Sequence, residues 1–180
     1  SIAAMQRIVR RVVPGLLAGC LLVVAGGCGS ESGSGSIKGV ETYTGLARDH
    51  VAGPVSYPQS PPVGGSHSPV WQNCGVYDQP VANENAVHSL EHGAVWLAYQ
   101  PTLPADQVNI LRALAANQDH ILVSPYPDLP TPVVATAWGL QLQVTSASDA
   151  RLRQFVEQYQ SGPQAPERGV TCASGTGTPL

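Results

Sequence analysis

Two histidines and a glutamate lie close together near the middle of the chain, in the stretch VHSLEHG at residues 87–93. His88 and His92 are four residues apart, so their side chains share one face of a helix and equally one face of a strand, whereas Glu91 joins the His88 face only in a helix. Neutral imidazole is the commonest metal ligand in proteins, and two imidazoles beside a carboxylate form part of a site for zinc, copper or iron. The spacing predicts a partial metal site; the alternative is that these histidines only hydrogen-bond the scaffold.

The same residues, in the order His-x-x-Glu-His, also match the signature of the inverzincin metallopeptidases, in which the glutamate activates a metal-bound water. A long helix holds the pair in such enzymes, but here Gly93 and an apolar run follow at once, and at most about two helical turns precede. Glu157 is the best-placed later residue for a further acidic ligand. The pattern therefore favours a protein that binds a metal ion without catalysis. The alternative is a structural or partner-binding protein, and the third hypothesis is a metallohydrolase.

The elements that must position these side chains belong to an α+β domain. Apolar runs and helical periodicity follow in the order strand, helix, strand, strand, strand, helix, which predicts a small mixed β-sheet with two helices packed on one face. Thr102 and Ser148 are the predicted caps of the two helices. From Tyr43 onward, the chain before these elements is rich in Pro and Gly, which predicts a long N-terminal loop region. Strands are predicted at residues 94–99, 121–123, 133–138 and 140–144, and helices at about 104–117 and 148–162.

Composition limits the class of protein. The chain has 180 residues, which allows one domain of ordinary size, and 12% of them are charged, against an average of roughly 25% in soluble proteins. The formal net charge of −3 provides no basic surface for nucleic acid, so we expect no nucleic-acid partner. We expect residues 43–162 to form a single domain, followed by a flexible tail at 163–180 that is rich in Gly, Pro and Thr.

The N-terminal region carries an export signal. Arg7, Arg10 and Arg11 precede an apolar run that ends before Cys28 and is shorter than the roughly 20 residues needed to span a membrane. The small residues directly before Cys28 resemble the lipobox of bacterial lipoproteins, and a tether rich in Gly and Ser follows. A similar box at Cys20 leads into apolar residues instead, so we favour Cys28 as the lipidated residue.

We therefore predict a signal peptide at residues 1–27, acylation of Cys28 and a flexible tether at 28–42, with an uncleaved signal anchor or plain secretion as the alternative. The lipid would hold the domain to the outer face of the cytoplasmic membrane, in the cell envelope. The protein surface would not itself bind anionic lipid, because the mature chain has six basic and twelve acidic residues, a net charge of −6.

Two motifs carry a family resemblance: PP-x-GG-x-H, which ends at His67, and HSLEHG, which begins at His88, with CGVYD between them. Together they resemble an uncharacterised domain family of bacterial envelope proteins, common in actinobacteria and catalogued as a domain of unknown function. The resemblance covers residues 43–160, implies a secreted or membrane-attached domain, and singles out His67, His88, Glu91 and His92 as its polar signature. His67 would then complete a three-imidazole metal site, with Glu91 as a fourth ligand or as a base beside it.

The remaining donors limit the choice of metal. The only methionine, Met5, lies in the signal region, which excludes a thioether copper(I) site in the mature protein and leaves copper(II) or zinc. Cys74 and Cys172 are the thiols left after processing, and an oxidising envelope favours a disulfide between them, with Cys74 as a thiolate ligand beside His67 as the alternative. The other two histidines are interpreted as ordinary surface or strand-end residues: His50 and His120.

Overall fold

The computed structural model describes residues 35–180, so the predicted signal peptide, Cys28 and the start of the tether lie outside the described residues. Within this range the chain forms a six-stranded sheet and three helices. None of the helices in the described range is long and apolar enough to cross a membrane. In chain order the elements are β1 (Val40–Thr42), β2 (Gly75–Val76), α1 (Asn83–Glu91), β3 (Val95–Tyr99), α2 (Ala105–Ala115), β4 (Ile121–Pro125), β5 (Val133–Ala137), β6 (Leu140–Val144) and α3 (Ala150–Tyr159).

Strand β3 lies inside the sheet, whose order is β1-β6-β5-β3-β4-β2. It pairs in parallel with β4 and antiparallel with β5, so the sheet is mixed and the predicted α+β class is confirmed. All five residues of β3 are buried. This burial explains the unbroken apolar sequence of the strand, because a strand that is covered on both faces needs no polar alternation.

Successive side chains of β3 enter two hydrophobic clusters, one on each face of the sheet. Leu97 packs in the cluster that contains the buried side chains of α2 and α3. These two helices therefore lie on one face of the sheet, as the sequence predicts. Trp96 and Ala98 pack on the other face with Val87 and Leu90 of α1. Helix α1, which contains most of the HSLEH stretch, thus adds a third layer that the sequence analysis did not predict.

The helix caps differ from the predicted ones. Helix α2 begins without a side-chain cap, so Thr102 does not cap it. Asp149, rather than Ser148, caps α3, because its carboxylate accepts a hydrogen bond of 3.0 Å from the backbone N–H of Arg151. The Ser148 hydroxyl instead lies 2.7 Å from that of Ser146. Serine and aspartate are both good N-caps, so sequence preference does not choose between neighbours of these types.

The loop between β1 and β2 packs closely against the sheet. The Gln141 side-chain amide donates a hydrogen bond of 2.9 Å to the Pro61 carbonyl. Gly64 has a φ of +146°, and a Cβ at this position would lie 2.8 Å from Leu46 Cδ1 and 3.2 Å from Trp138 Cε2. Only a residue without a side chain allows this close approach and this conformation. The Pro/Gly-rich segment is therefore held on the same face of the sheet as α1.

Residues 163–180, whose composition predicted a flexible tail, are joined to the domain instead. Cys172 forms a disulfide with Cys74, with the two Cα atoms 5.4 Å apart, so Cys74 is not a thiolate ligand. The Cys74 N–H also donates to the Cys172 carbonyl at 2.9 Å, and the Leu180 N–H donates to the Val76 carbonyl at 2.9 Å. Composition does not reveal this attachment, because a covalent link and backbone hydrogen bonds can order a segment with few apolar side chains.

Removal of this disulfide should destabilise the domain. The bond joins residues 98 positions apart, and loss of a native disulfide commonly costs about 2–4 kcal/mol. We expect the double variant Cys74→Ser/Cys172→Ser to lose about this much free energy of unfolding, measured with urea under oxidising conditions. A reductant should then lower the stability of the wild type but not of the variant. Equal stability of the two proteins before reduction would contradict the prediction.

Candidate metal centre

The HSLEH stretch lies on α1 and its C-terminal end, so the helical alternative is the correct one and Glu91 shares the His88 face. His92 is the C-cap residue, and its backbone N–H donates to the His88 carbonyl at 3.1 Å. Gly93 then leads into β3 with a φ of +108°, and a Cβ there would lie 3.0 Å from Ser161 Cα. The end of the helix thus places three buried polar side chains immediately before a strand that is itself buried throughout.

His67 and His50 reach α1 through a backbone pairing between two loops. The His67 N–H donates to the Asp49 carbonyl at 2.9 Å, and the Val51 N–H donates to the His67 carbonyl at 2.8 Å. This pairing places the centroids of the His50 and His67 rings 5.0 Å apart. The His50 ring also stacks on the His88 ring, with centroids 4.8 Å apart and planes inclined by 17°. Two loop histidines therefore converge on the helix.

One ring nitrogen of each buried imidazole is bonded to the main chain. Because a carbonyl oxygen only accepts, each of these Nδ1 atoms carries the proton and each Nε2 keeps its lone pair. Metal-binding imidazoles use this arrangement, in which an outer partner orients the ring and fixes its tautomer. The bonds are His67 Nδ1 to the Gly65 carbonyl at 2.8 Å, His88 Nδ1 to the Ser68 carbonyl at 2.7 Å, and His92 Nδ1 to the Thr171 carbonyl at 2.8 Å.

His67 faces Glu91 across a short contact that lacks hydrogen-bond geometry. The Nε2 atom of His67 lies 2.9 Å from Oε2 of Glu91, yet this buried nitrogen has no hydrogen-bond partner. A nitrogen lone pair next to a carboxylate oxygen is unfavourable in a dry interior unless a proton or a cation lies between them. A zinc ion between the two atoms would relieve the contact, with each atom about 2.0–2.2 Å from the ion once their separation widens to about 3.4 Å.

The donor atoms form two sets that share His88. Within each set, one nitrogen or oxygen atom per residue lies within 4.8 Å of the corresponding atoms of the others. Both sets combine imidazole and carboxylate, which are donors that suit zinc, and imidazole also suits copper(II). The four-donor set comprises His50, His67, His88 and Glu91, and the three-donor set comprises His88, His92 and Glu167.

The structure groups the predicted ligands differently from the sequence analysis. His67, His88 and Glu91 come together, whereas His92 belongs to the three-donor set and is linked to the others through His88. Glu157, the predicted later acidic ligand, belongs to neither set within the described range. The reason is its position, since Glu157 is exposed on α3, which packs on the opposite face of the sheet from α1.

Two members of these sets were missed by the sequence analysis. His50 was interpreted as an ordinary surface or strand-end residue; it is exposed, but its ring contacts two other imidazoles. Glu167 lies in the predicted tail, and its backbone N–H donates to the Glu91 carbonyl at 3.0 Å. Neither has a local sequence signal, because each joins the site through backbone pairing between segments distant in the chain.

The Trp71 ring lies beside the imidazoles. Its centroid is 4.9 Å from that of His92 and 5.5 Å from that of His88. The indole N–H donates to the Ala173 carbonyl at 3.2 Å, so the C-terminal segment fixes the ring. Trp71 is therefore positioned to sense changes at both sets through its fluorescence, since it contacts the residue that they share.

Burial sets the protonation of the site. It lowers the pKa of His67, His88 and His92 below the ordinary value of 6.5, although the hydrogen bonds to the main chain act in the opposite direction. Burial likewise raises the pKa of the Glu91 carboxyl above 4.5. The three imidazoles are neutral near pH 7, which is the state in which imidazole binds a metal ion.

The metal-free protein should lose stability as the pH falls below about 6.5. A histidine whose pKa is lower in the folded chain takes up its proton at higher pH when the chain is unfolded. Protonation therefore favours the unfolded state, and each such histidine lowers the free energy of unfolding by up to about 1.4 kcal/mol per pH unit. Glu91 has the opposite effect on stability, because its pKa is raised in the folded state and its protonation therefore favours folding. The three imidazoles outnumber this one carboxyl, so the net effect of acid is destabilising.

The measurement is urea unfolding of metal-free protein at about pH 7.5, 6.5 and 5.5. We expect the free energy of unfolding to fall most between the last two values. A free energy of unfolding that stays constant or increases toward the acidic end would contradict the assignment of neutral, buried imidazoles.

Comparison with known proteins gives a family and no function. The family model described as "Protein of unknown function (DUF3105)" matches residues 50–174, a span that contains both donor sets and both cysteines of the disulfide. No curated protein and no solved structure gave a significant match. The match confirms that the chain contains a domain of unknown function, whereas the envelope lipoprotein character and the two motifs as family signatures stay predictions.

Proposed function

The chain belongs to the family described as protein of unknown function (DUF3105), and from that premise we propose that it binds a zinc or copper(II) ion through histidines. The observation that carries the proposal is the orientation of the buried imidazoles. His67 and His88 each use Nδ1 for a main-chain hydrogen bond and keep Nε2 free, and their donor atoms lie near those of His50 and Glu91. The four-donor set is the proposed resting site of the ion.

The competing interpretation is that the histidines only brace the loop against α1. The main-chain hydrogen bonds of the Nδ1 atoms serve that role equally well. They leave unexplained why the Nε2 atom of His67 is buried without a hydrogen-bond partner beside the Glu91 carboxylate. Burial of two acceptors in contact costs free energy unless a proton or a cation lies between them, and the donor atoms of His50 and His88 close to this pair suit a cation. This contact favours metal binding over a purely structural cluster.

The donor types favour zinc or copper(II). Structural zinc is four-coordinate with ligands at about 2.0–2.2 Å, so neighbouring donor atoms lie about 3.4 Å apart. The His67–Glu91 pair, at 2.9 Å, must therefore widen by about 0.5 Å to bind a four-coordinate ion. The donor atoms of the set lie within 4.8 Å of one another, and His50 can adjust its position because it is exposed and lies on a loop. Softer copper(I) is disfavoured, since both cysteines in residues 35–180 are disulfide-bonded and the only methionine is Met5.

We propose that the domain works outside the cytoplasm, as a lipoprotein anchored to the outer face of the membrane through Cys28. Removal of residues 1–27 would leave the tether at 28–42 to connect the lipid to the domain. The Cys74–Cys172 disulfide supports this location, because disulfides persist in oxidising compartments. The partner is then the lipid bilayer, reached through acyl chains rather than through the acidic protein surface.

The position of Glu91 favours binding over hydrolysis. In a His-x-x-Glu-His hydrolase the glutamate acts on a metal-bound water and does not bind the ion. Here the Glu91 carboxylate is only 2% exposed and lies 2.9 Å from a buried imidazole nitrogen. This position suits a fourth ligand, so we propose a non-catalytic metal-binding role.

Loss of the central imidazole should abolish tight binding. We expect the wild-type protein to bind one zinc or copper(II) ion with a Kd below about 10 μM in calorimetry. His88→Ala should weaken binding by about 100-fold or more, because this ring belongs to both sets. The matched control is His120→Ala, which removes a histidine outside both sets and should change the Kd by less than about threefold. Absence of binding in the wild type, or unchanged binding in His88→Ala, would refute the proposal.

Glu91→Gln separates a ligand from a catalytic base. The amide preserves the shape of the side chain but removes its charge, so affinity for the ion should fall by about tenfold or more. A hydrolase variant would instead keep its metal and lose turnover. Calorimetry together with an ester and peptide hydrolysis assay distinguishes the two. Retained affinity with loss of hydrolysis present in the wild type would support the enzyme instead.

A further inference from the structure

We propose that the bound ion has a second position, formed by His92 and Glu167 with the shared His88, through which it exchanges with an outside metal carrier or chelator. This inference rests on the metal-binding function proposed above. The donor atoms of the three residues lie within 4.8 Å of one another, and Nε2 of His92 lies 3.6 Å from Oε2 of Glu167. Two imidazoles and one carboxylate form a three-ligand zinc site that leaves the fourth coordination position open.

The shared residue makes the two positions alternatives. Nδ1 of His88 is bonded to the Ser68 carbonyl at 2.7 Å, so only Nε2 can bind a metal ion. One nitrogen lone pair serves one ion at a time. The chain therefore holds a single ion that moves between the two sets rather than a pair of ions. The short separations of the His88 ring from the His67 and His92 rings, 4.9 Å and 4.6 Å between centroids, make that movement a local step.

The two positions differ in their access to solvent. His67 and Glu91 of the four-donor set are buried, whereas the Glu167 side chain is 48% exposed. An incoming donor atom can therefore reach an ion at the three-donor set and occupy its open coordination position. His50 offers a competing route, because it is an exposed member of the four-donor set. The three-donor set is favoured because it alone has fewer protein ligands than a four-coordinate ion requires.

The C-terminal segment builds this second position. The Glu167 N–H is bonded to the Glu91 carbonyl at 3.0 Å, which places the glutamate over the end of α1. The Thr171 carbonyl accepts a hydrogen bond from His92 Nδ1, and the next residue, Cys172, is covalently bonded to Cys74. These attachments hold an exposed carboxylate near a buried imidazole, which a freely moving tail would not do.

The test compares equilibrium affinity with exchange rate. The full chain is loaded with copper(II), which quenches the fluorescence of the nearby Trp71, and mixed rapidly with excess EDTA. In the variant Glu167→Gln, which keeps the His92 ring and its bond to Thr171, removal of the ion should slow by about tenfold or more, while the Kd changes by less than about threefold because Glu167 lies outside the four-donor set. The control Glu157→Gln removes an exposed carboxylate outside both sets and should behave as wild type.

The outcomes separate the two proposals. If the wild type binds no ion, the metal-binding function itself fails. If Glu167→Gln binds one ion but exchanges it at the wild-type rate, exchange runs through His50 and the second position is refuted. A weakening of the Kd by about tenfold or more would also overturn it, since Glu167 would then be a ligand of the resting ion. Binding of two ions per chain, measured by native mass spectrometry, would refute the shared use of His88.

Discussion

Hydrogen bonds from imidazole Nδ1 atoms to main-chain carbonyls organise the polar part of this domain. His88 ties α1 to the loop at Ser68, and His92 ties the end of α1 to the C-terminal segment at Thr171. Each bond also fixes the tautomer of its ring, so the opposite nitrogen is left as a lone pair. The same interaction that closes the loops over the helix thus also leaves these rings in the form that could hold a metal ion.

The sheet gives this group a rigid support. Helix α1 packs on the face that carries Trp96, and a three-residue turn with Gly93 at its centre joins it to β3. β3 is buried throughout and paired on both sides, so the helix end has little freedom to move. Sites built on such elements hold their geometry better than sites built on loops alone. The loop residues His50 and Glu167 supply the adaptable part of each donor set.

The sequence was informative where structure is local. Periodicity located β3 and the helices α2 and α3, and the spacing of HSLEH placed His88 and Glu91 on one face once the segment is helical. It failed where distant segments meet. The bridge between His50 and His67 and the attachment of Glu167 to α1 depend on backbone pairing that carries no residue preference. Composition likewise gave no sign that the C-terminal segment is ordered, because its order comes from a disulfide and main-chain hydrogen bonds.

The position of Cys172 directly after Thr171 has a consequence for the maturation of the protein. The carbonyl that orients the His92 ring is one residue away from a covalent attachment to Cys74, so its placement depends on oxidation of the two thiols. While these thiols are reduced, the last segment lacks its covalent anchor to Cys74. Assembly of the three-donor set is therefore coupled to formation of the disulfide, which oxidising compartments favour.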